Sequence, residues 1–239
     1  MPFQNIKPLH ILWQDTLEIG ILDGIVSGID CILASAGVSK KIKLEYLGKR
    51  RQPDWLSQNG TILNPYQSLD WHIELARKNS KQAGYLNSIV LIDSFLDNPT
   101  YKTEPRYELV VVSEPLHSGN ISRIFGVGRR GQGAIISLDS HLYLLQPVAE
   151  ETDENKKNRQ FNFWLGTKLN TIHELGHAFG LFPGIGVENP TEEQREKAHC
   201  PNECVMYWRE NDDLYKKIAD EPFCPSCREK LKEYFAKRP

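Results

Sequence analysis

The sequence has no apolar run approaching the ~20 residues needed to cross a bilayer. Its opening, Met-Pro-Phe-Gln-Asn-Ile-Lys-Pro-Leu-His, lacks the basic start, apolar stretch and small-residue cleavage site of a secretory signal. A cytoplasmic chain without a membrane partner is therefore expected. An excess of one charge is also missing: 29 Lys and Arg stand against 31 Asp and Glu, a formal net charge of -2. Such a balance gives no field to draw in nucleic acid, and the basic runs Lys40-Lys41-Lys43, Lys49-Arg50-Arg51 and Arg129-Arg130 read as solvated surface. There is no internal repeat and no low-complexity tail. The glycines at 126, 128, 131 and 133 are not followed by GxxxxGK[ST], which excludes the usual phosphate-binding loop. Cysteine is sparse and uneven: Cys31 stands alone, while Cys200, Cys204, Cys224 and Cys227 crowd the C-terminal end. In a reducing compartment that crowding favours a metal over disulfides, and Cys31 reads as a small buried hydrophobe.

What is present is an ordinary globular composition, 40% hydrophobic and 25% charged over 239 residues, enough for one substantial core. A single monomeric domain is expected, residues 1–180 forming an upper lobe and 181–239 a smaller C-terminal lobe. Leu9 to Trp13 reads as a strand, and Leu17 to Ala36 as a helix ending at Gly37. Lys41 to Tyr46 alternates with period two, as a half-buried strand does. The stretch from Gly48 to Pro65 reads as loop, with a helix from Ser68, as cap, to Ser80. The Val- and Ile-rich segments Asn87 to Phe95 and Tyr107 to Ser113 have the composition of buried strands. Ile121 to Val127 and Ala134 to Leu138 read as two strands joined by the glycine-rich turn. Glu150 to Arg159 looks charged and flexible, and Asn162 to Phe179 is helical.

That helix carries His173-Glu174-Leu175-Gly176-His177, an HExxH pattern. The i, i+4 spacing puts both imidazoles on one helical face, where they can share one zinc. Glu174 projects from the same turn, placed to act as general base toward water activated by the metal. The bare pattern recurs by chance, so its context decides. The pattern lies in a strong helical periodicity, and Gly180 follows three residues after His177, where glycine permits the chain to turn back. The compact form of the motif would put a third histidine at position 183, which is Pro183. The next histidine, His199, is taken as the third ligand, with Pro183 to Ala198 an inserted loop that includes a short solvated helix near Glu192 to Lys197. Glu196 remains an alternative third ligand, since another zincin branch uses a glutamate about twenty residues beyond the second histidine. His10, His72, His117 and His141 read as ordinary surface or core histidines.

With these residues in place the sequence resembles the archaemetzincins: HExxHxxG, a third His beside a Cys, a second Cys, x-Met, about seventeen residues and CxxC. Here the pattern runs from His173 through Gly180 to His199-Cys200, Cys204-Val205-Met206 and Cys224-Pro225-Ser226-Cys227. It departs from the family in the insertion before His199 and in having three residues rather than four between Cys200 and Cys204. The resemblance implies a metzincin-like α/β fold, a mixed sheet with backing helices. It implies two zinc ions, a catalytic one on His173, His177 and His199 and a structural one on Cys200, Cys204, Cys224 and Cys227, with Met206 in the turn beneath the first. It implies a zinc metallopeptidase acting on peptide or protein substrates, and an exposed edge strand, Ser122 to Val127, along which an extended peptide would lie antiparallel. Tyr207 is assigned no catalytic role, and Trp208 takes the place where some metzincins carry a tyrosine. A zinc-stabilised module that grips peptides without cutting them is the alternative, and a redox CxxC at Cys224 to Cys227 is the rival reading of the cysteines.

Overall fold

A computed structural model of the chain describes residues 6–49, 68–96, 103–182, 191–207 and 216–237. In chain order the first half runs β1 (Leu9–Trp13), α1 (Asp23–Ala36), β2 (Leu44–Gly48), α2 (Leu69–Lys78), β3 (Leu86–Asn87) and α3 (Ser88–Leu96). The second runs β4 (Tyr107–Val112), β5 (Leu116–Ser118), β6 (Ile121–Ile124), β7 (Gly126–Arg129), β8 (Gly133–Ser137), α4 (Asp139–Leu142), α5 (Asp153–Ala178), α6 (Glu192–Lys197) and α7 (Pro225–Ala236). Five strands form one sheet in the order β2-β1-β4-β8-β7. The first four are parallel and β7 runs antiparallel at the edge. A smaller sheet has the order β3-β5-β6. The architecture is mixed α/β, as the sequence led one to expect.

Period-two side-chain alternation sends each strand into two cores at once. Leu9, Ile11, Leu109, Val111, Ala134 and Ile136 join one cluster with α1 and α5, whereas Leu12, Val110, Val112 and Ile135 join α2 and α3 on the opposite face. Burial on both faces accounts for the unbroken apolar run Leu109-Val110-Val111-Val112, which a half-solvated strand would not carry. Helix α7 belongs to the first cluster through Leu231, Tyr234 and Phe235, one face at i, i+3, i+4 spacing. The Phe235 ring meets Phe179 edge-on at 5.0 Å, and the Tyr234 hydroxyl lies 3.1 Å from that of Tyr107. Each such fully buried side chain contributes roughly 1.5–3 kcal/mol, so α7 is anchored in the same core as the sheet. No helix among the described residues is long and apolar enough to cross a membrane.

Several elements depart from the sequence expectation. Asn87 to Phe95 is not a strand: only Leu86–Asn87 pairs, and Ser88–Leu96 is helical. The Asn87 side chain accepts hydrogen bonds from the Ile89 and Val90 amides, starting the helix, and the apolar residues that mimic a strand are buried around it. Ile121 to Val127 breaks at Phe125 into strands of two different sheets, so Ser122 to Val127 is not one edge strand. The Lys41 to Tyr46 strand sits later, at Leu44–Gly48. Ser68 stands before α2 without making a side-chain cap. The segment read as flexible, Glu150 to Arg159, becomes the first turns of α5, with Thr152 accepting from the Asn155 amide and Arg159 paired to Glu151 at 2.5 Å. Residues 50–65 of the expected loop, residues 183–190 of the insertion, Arg50, Arg51 and Trp208 lie outside the described residues.

Candidate metal centre

Helix α5 delivers His173, Glu174 and His177 in its last two turns and then stops abruptly. Gly180 adopts the left-handed conformation at φ 79°, and its amide bonds the His177 carbonyl while the Leu181 amide bonds that of Gly176. These two bonds form a Schellman cap, which satisfies carbonyls that the helix end would otherwise orphan. A side chain at Gly180 would also collide, its Cβ falling 2.6 Å from the Tyr234 ring. The tip of the β7–β8 hairpin closes the same end, Gly131 donating to Ala178 O at 2.7 Å.

His199 reaches the two helical histidines across the insertion. The ligand atoms of His173, His177 and His199 all lie within 4.8 Å of one another, and Glu196 is not among them. Each imidazole has its Nδ1 turned to a main-chain carbonyl: His173 to Val205 at 2.6 Å, His199 to Arg195 at 2.6 Å and His177 to Phe182 at 3.4 Å. A carbonyl only accepts, so Nδ1 carries the proton and Nε2 keeps a bare lone pair. The Nε2 atoms of His173 and His177 are then two acceptors 3.2 Å apart. A proton is a poor remedy, since burial and then the charge of His199 hold His173 down at about 4, and burial above all holds His177 and His199 below the ordinary imidazole value. A metal fits: nitrogens at ~2.0–2.1 Å on a tetrahedral zinc stand about 3.3 Å apart. Among the described residues three ligands gather, which would leave the fourth position of a tetrahedral ion to solvent or substrate.

The cysteine cluster passes the same test. Sγ of Cys200 lies 3.7 Å from that of Cys224, and Cys204 3.9 Å from Cys227. Disulfide sulfurs sit at about 2.05 Å, whereas four thiolates at ~2.3 Å around a tetrahedral zinc stand about 3.8 Å apart. All four sulfurs lie within 4.8 Å of one another. Asn202 directs its amide at Cys200 and its side-chain nitrogen at Cys224, and Cys224 stands immediately before α7, where the helix dipole favours negative charge. The hydrogen bond from Cys227 holds Cys204 down to about 5, while the same bond, and then burial, push Cys227 well up, and burial raises Cys200 to about 11. A bound dication would favour the ionised forms of Cys200 and Cys227, which burial opposes.

A cleft of about 490 Å³, counting space open to solvent, is lined by the three histidines and Glu174 together with residues of strands β6 and β7. Ile121, Ile124 and Val127 form its apolar wall. Two glycines line it as well, Gly126 from the expected strand and Gly128 from the expected turn, and both lie hard against the helix. A Cβ on Gly128 would lie 2.3 Å from Glu174 O and 2.7 Å from His177 Cβ, and one on Gly126 would lie 2.6 Å from Glu174 Cγ. Glycine at alternate positions of β7 is what lets the edge strand lie against the helix. Asn170, one turn before Glu174, donates to Phe125 O at 3.0 Å and ties the strand break to the same helix. Met206 is fully buried, with its sulfur 2.4 Å from where a Cβ on Gly176 would stand, so it packs against the helix between the positions of the two histidines. His10, His72, His117 and His141 are buried away from the cluster, and Cys31 is half-buried, its thiol raised by burial.

No protein-family model matches the chain, and no curated protein matches it. Among solved structures it overlays the archaemetzincin of Methanopyrus kandleri, at 20% identity and TM-score 0.46, over 97% of both chains. The chain is similar in structure to archaemetzincins. The zinc-dependent peptidase of Methanocorpusculum labreanum aligns at 17% identity and TM-score 0.48, and the malonate-complexed archaemetzincin of Archaeoglobus fulgidus at 14% and 0.48, each over 93% of this chain and 99% of the other. At such identities and scores, function has to be argued from the side chains of the two clusters.

Proposed function

We propose that the chain is a zinc-dependent metallopeptidase that hydrolyses peptide bonds in its His173/His177/His199 cleft, with Glu174 as general base. The observation that carries the reading is the orientation of the three imidazoles, each held by a carbonyl at Nδ1 with its Nε2 turned to a shared point. A purely structural ion would be closed by a fourth protein ligand, and among the described residues the histidine set offers three. A zinc ion there would supply Lewis acidity to a carbonyl and lower the pKa of a water molecule toward ~7.

The residues of the chain do the rest. Glu174 lines the cleft beside His173 and His177 and is only 6% exposed, which supports a role for its carboxylate in taking a proton from water and returning it to the leaving amine. Strand β7 is outermost in its sheet and pairs on one side with β8, so its other side is the place for an extended substrate backbone. This moves the expected peptide-binding edge from Ser122–Val127 to Gly126–Arg129. The four cysteines hold a structural zinc, and Met206 supports the helix that carries the first two histidines. The lobes expected at 1–180 and 181–239 would then flank the cleft.

Replacing Glu174 with Gln tests the reading. Zinc content should stay the same while hydrolysis of a peptide mixture falls by at least ~10²-fold, the contribution of a positioned general base. If E174Q cleaves as fast as the parent, or the parent binds peptides with no turnover and E174Q binds them equally well, the hydrolase reading fails in favour of a binding module.

A further inference from the structure

The two clusters share one short stretch of chain, 199–207. His199 immediately precedes Cys200, and Val205, whose carbonyl fixes the proton of His173 at 2.6 Å, immediately follows Cys204. Met206, packed against the helix between the positions of the two helical histidines, comes next. No helix or strand occupies 199–207, so the stretch has no ladder of its own to hold it. Its bonds close it on itself and on the segment leading into Cys224. Cys200 donates to Met206 O, Tyr207 to Cys204 O, and Val205 to Pro222 O, each at 2.8 Å. Cys200 and Cys204 bracket this loop, and Cys224 and Cys227 pin it to α7. An ion on the four sulfurs therefore fixes three things the histidine site needs: the third ligand, the acceptor that orients the first ligand, and the packing of Met206 against the helix.

We propose that filling of the four-cysteine site raises the metal affinity of the three-histidine site, with Val205 as the positioning residue that carries the coupling. This rests on the reading that both clusters take metal. Outer-shell groups that orient a ligand are typically worth roughly 10–100-fold in metal affinity, and loss of the cysteine-bound ion frees both Val205 O and His199. Thermodynamic linkage makes the effect reciprocal, so occupation of the histidine site tightens the cysteine site by the same factor.

The test uses cobalt(II) as probe in the metal-stripped full chain, because thiolate-to-cobalt charge-transfer bands and the ligand-field bands of a histidine site are read separately. In Cys224→Ala the histidine-site affinity should fall roughly 10–100-fold, and Cys224→His, which restores a fourth ligand, should recover most of it. In His199→Ala the affinity of the thiolate site should fall by the same factor, which carries the test even where C224A does not fold. Histidine-site affinity in folded C224A within about threefold of the parent, or thiolate affinity unchanged in H199A, overturns the coupling while leaving the hydrolase reading intact. A parent chain that develops thiolate bands alone sinks both.

Discussion

Adding a single methyl group at Gly128 should damage the molecule out of proportion to its size. The new Cβ would stand 2.3 Å from Glu174 O, 2.7 Å from His177 Cβ and 3.2 Å from Glu174 C. Carbon contacts are comfortable at about 3.5–4.0 Å, so strand or helix must withdraw by more than ~1 Å. Neither can do so cheaply: β7 is held by its ladder to β8, and the helix by its buried face and its Schellman cap. Overpacking of this kind costs ~1–3 kcal/mol, and with backbone on both sides the top of that range applies. For a chain of this length 1 kcal/mol corresponds to about 2–4 °C, so Gly128→Ala should melt roughly 6–12 °C lower. Melting should be followed by circular dichroism at fixed zinc, since bound metal itself shifts the midpoint. Gly20→Ala, with nothing within 4 Å of its Cβ, is the control and should stay within ~0.5 kcal/mol of the parent. A G128A midpoint within about 2 °C of the parent would refute the close approach of edge strand to helix.

Other outcomes follow from the same geometry. His199→Ala should lower zinc from two ions per chain to one, read by elemental analysis, because the histidine site loses a ligand while the cysteine site keeps four. Asn170→Ala frees Phe125 O from the helix and should raise KM for peptides more than it lowers kcat, since the strand that would carry substrate is displaced but the metal ligands are not. Burial holds His141 at about 4, below its unfolded value near 6.5. Its contribution is therefore complete above pH 6.5 and lost as pH falls toward 4, where the unfolded chain takes up a proton that the native chain refuses. The loss amounts to about 3 kcal/mol, so His141→Phe should flatten the stability curve between these pH values relative to the parent. The metal-site histidines add a slope of the same sign to both proteins, which is why the difference is the quantity to measure.

How much of this could be read from residues alone depends on whether the determining interaction is local. The HExxH spacing, Gly180 and the cysteine pairs are local chemistry, and the structure assembles them as the spacing indicates. Strands β1, β4 and β8 were likewise legible, because alternation and unbroken apolar runs are what a sheet buried on two faces demands. The helix Ser88–Leu96 was not, since its Val and Ile composition is that of a strand and only the Asn87 cap and the surrounding core select the helix. At the Phe125 break the carbonyl is bonded by Asn170, 45 residues later in the chain, and by the Ser137 amide. Gly128 looked like a turn residue, although it serves contact with a helix that begins 25 residues later. The carbonyls of Val205, Arg195 and Phe182 orient the histidines through the main chain, which leaves no side-chain signature.

X-ray absorption at the zinc edge of the purified chain addresses the convergence of His173, His177 and His199 most directly. The account predicts two ions per chain and a mixed first shell, sulfur at ~2.3 Å together with imidazole nitrogen at ~2.0–2.1 Å. One ion with a purely sulfur shell would contradict it.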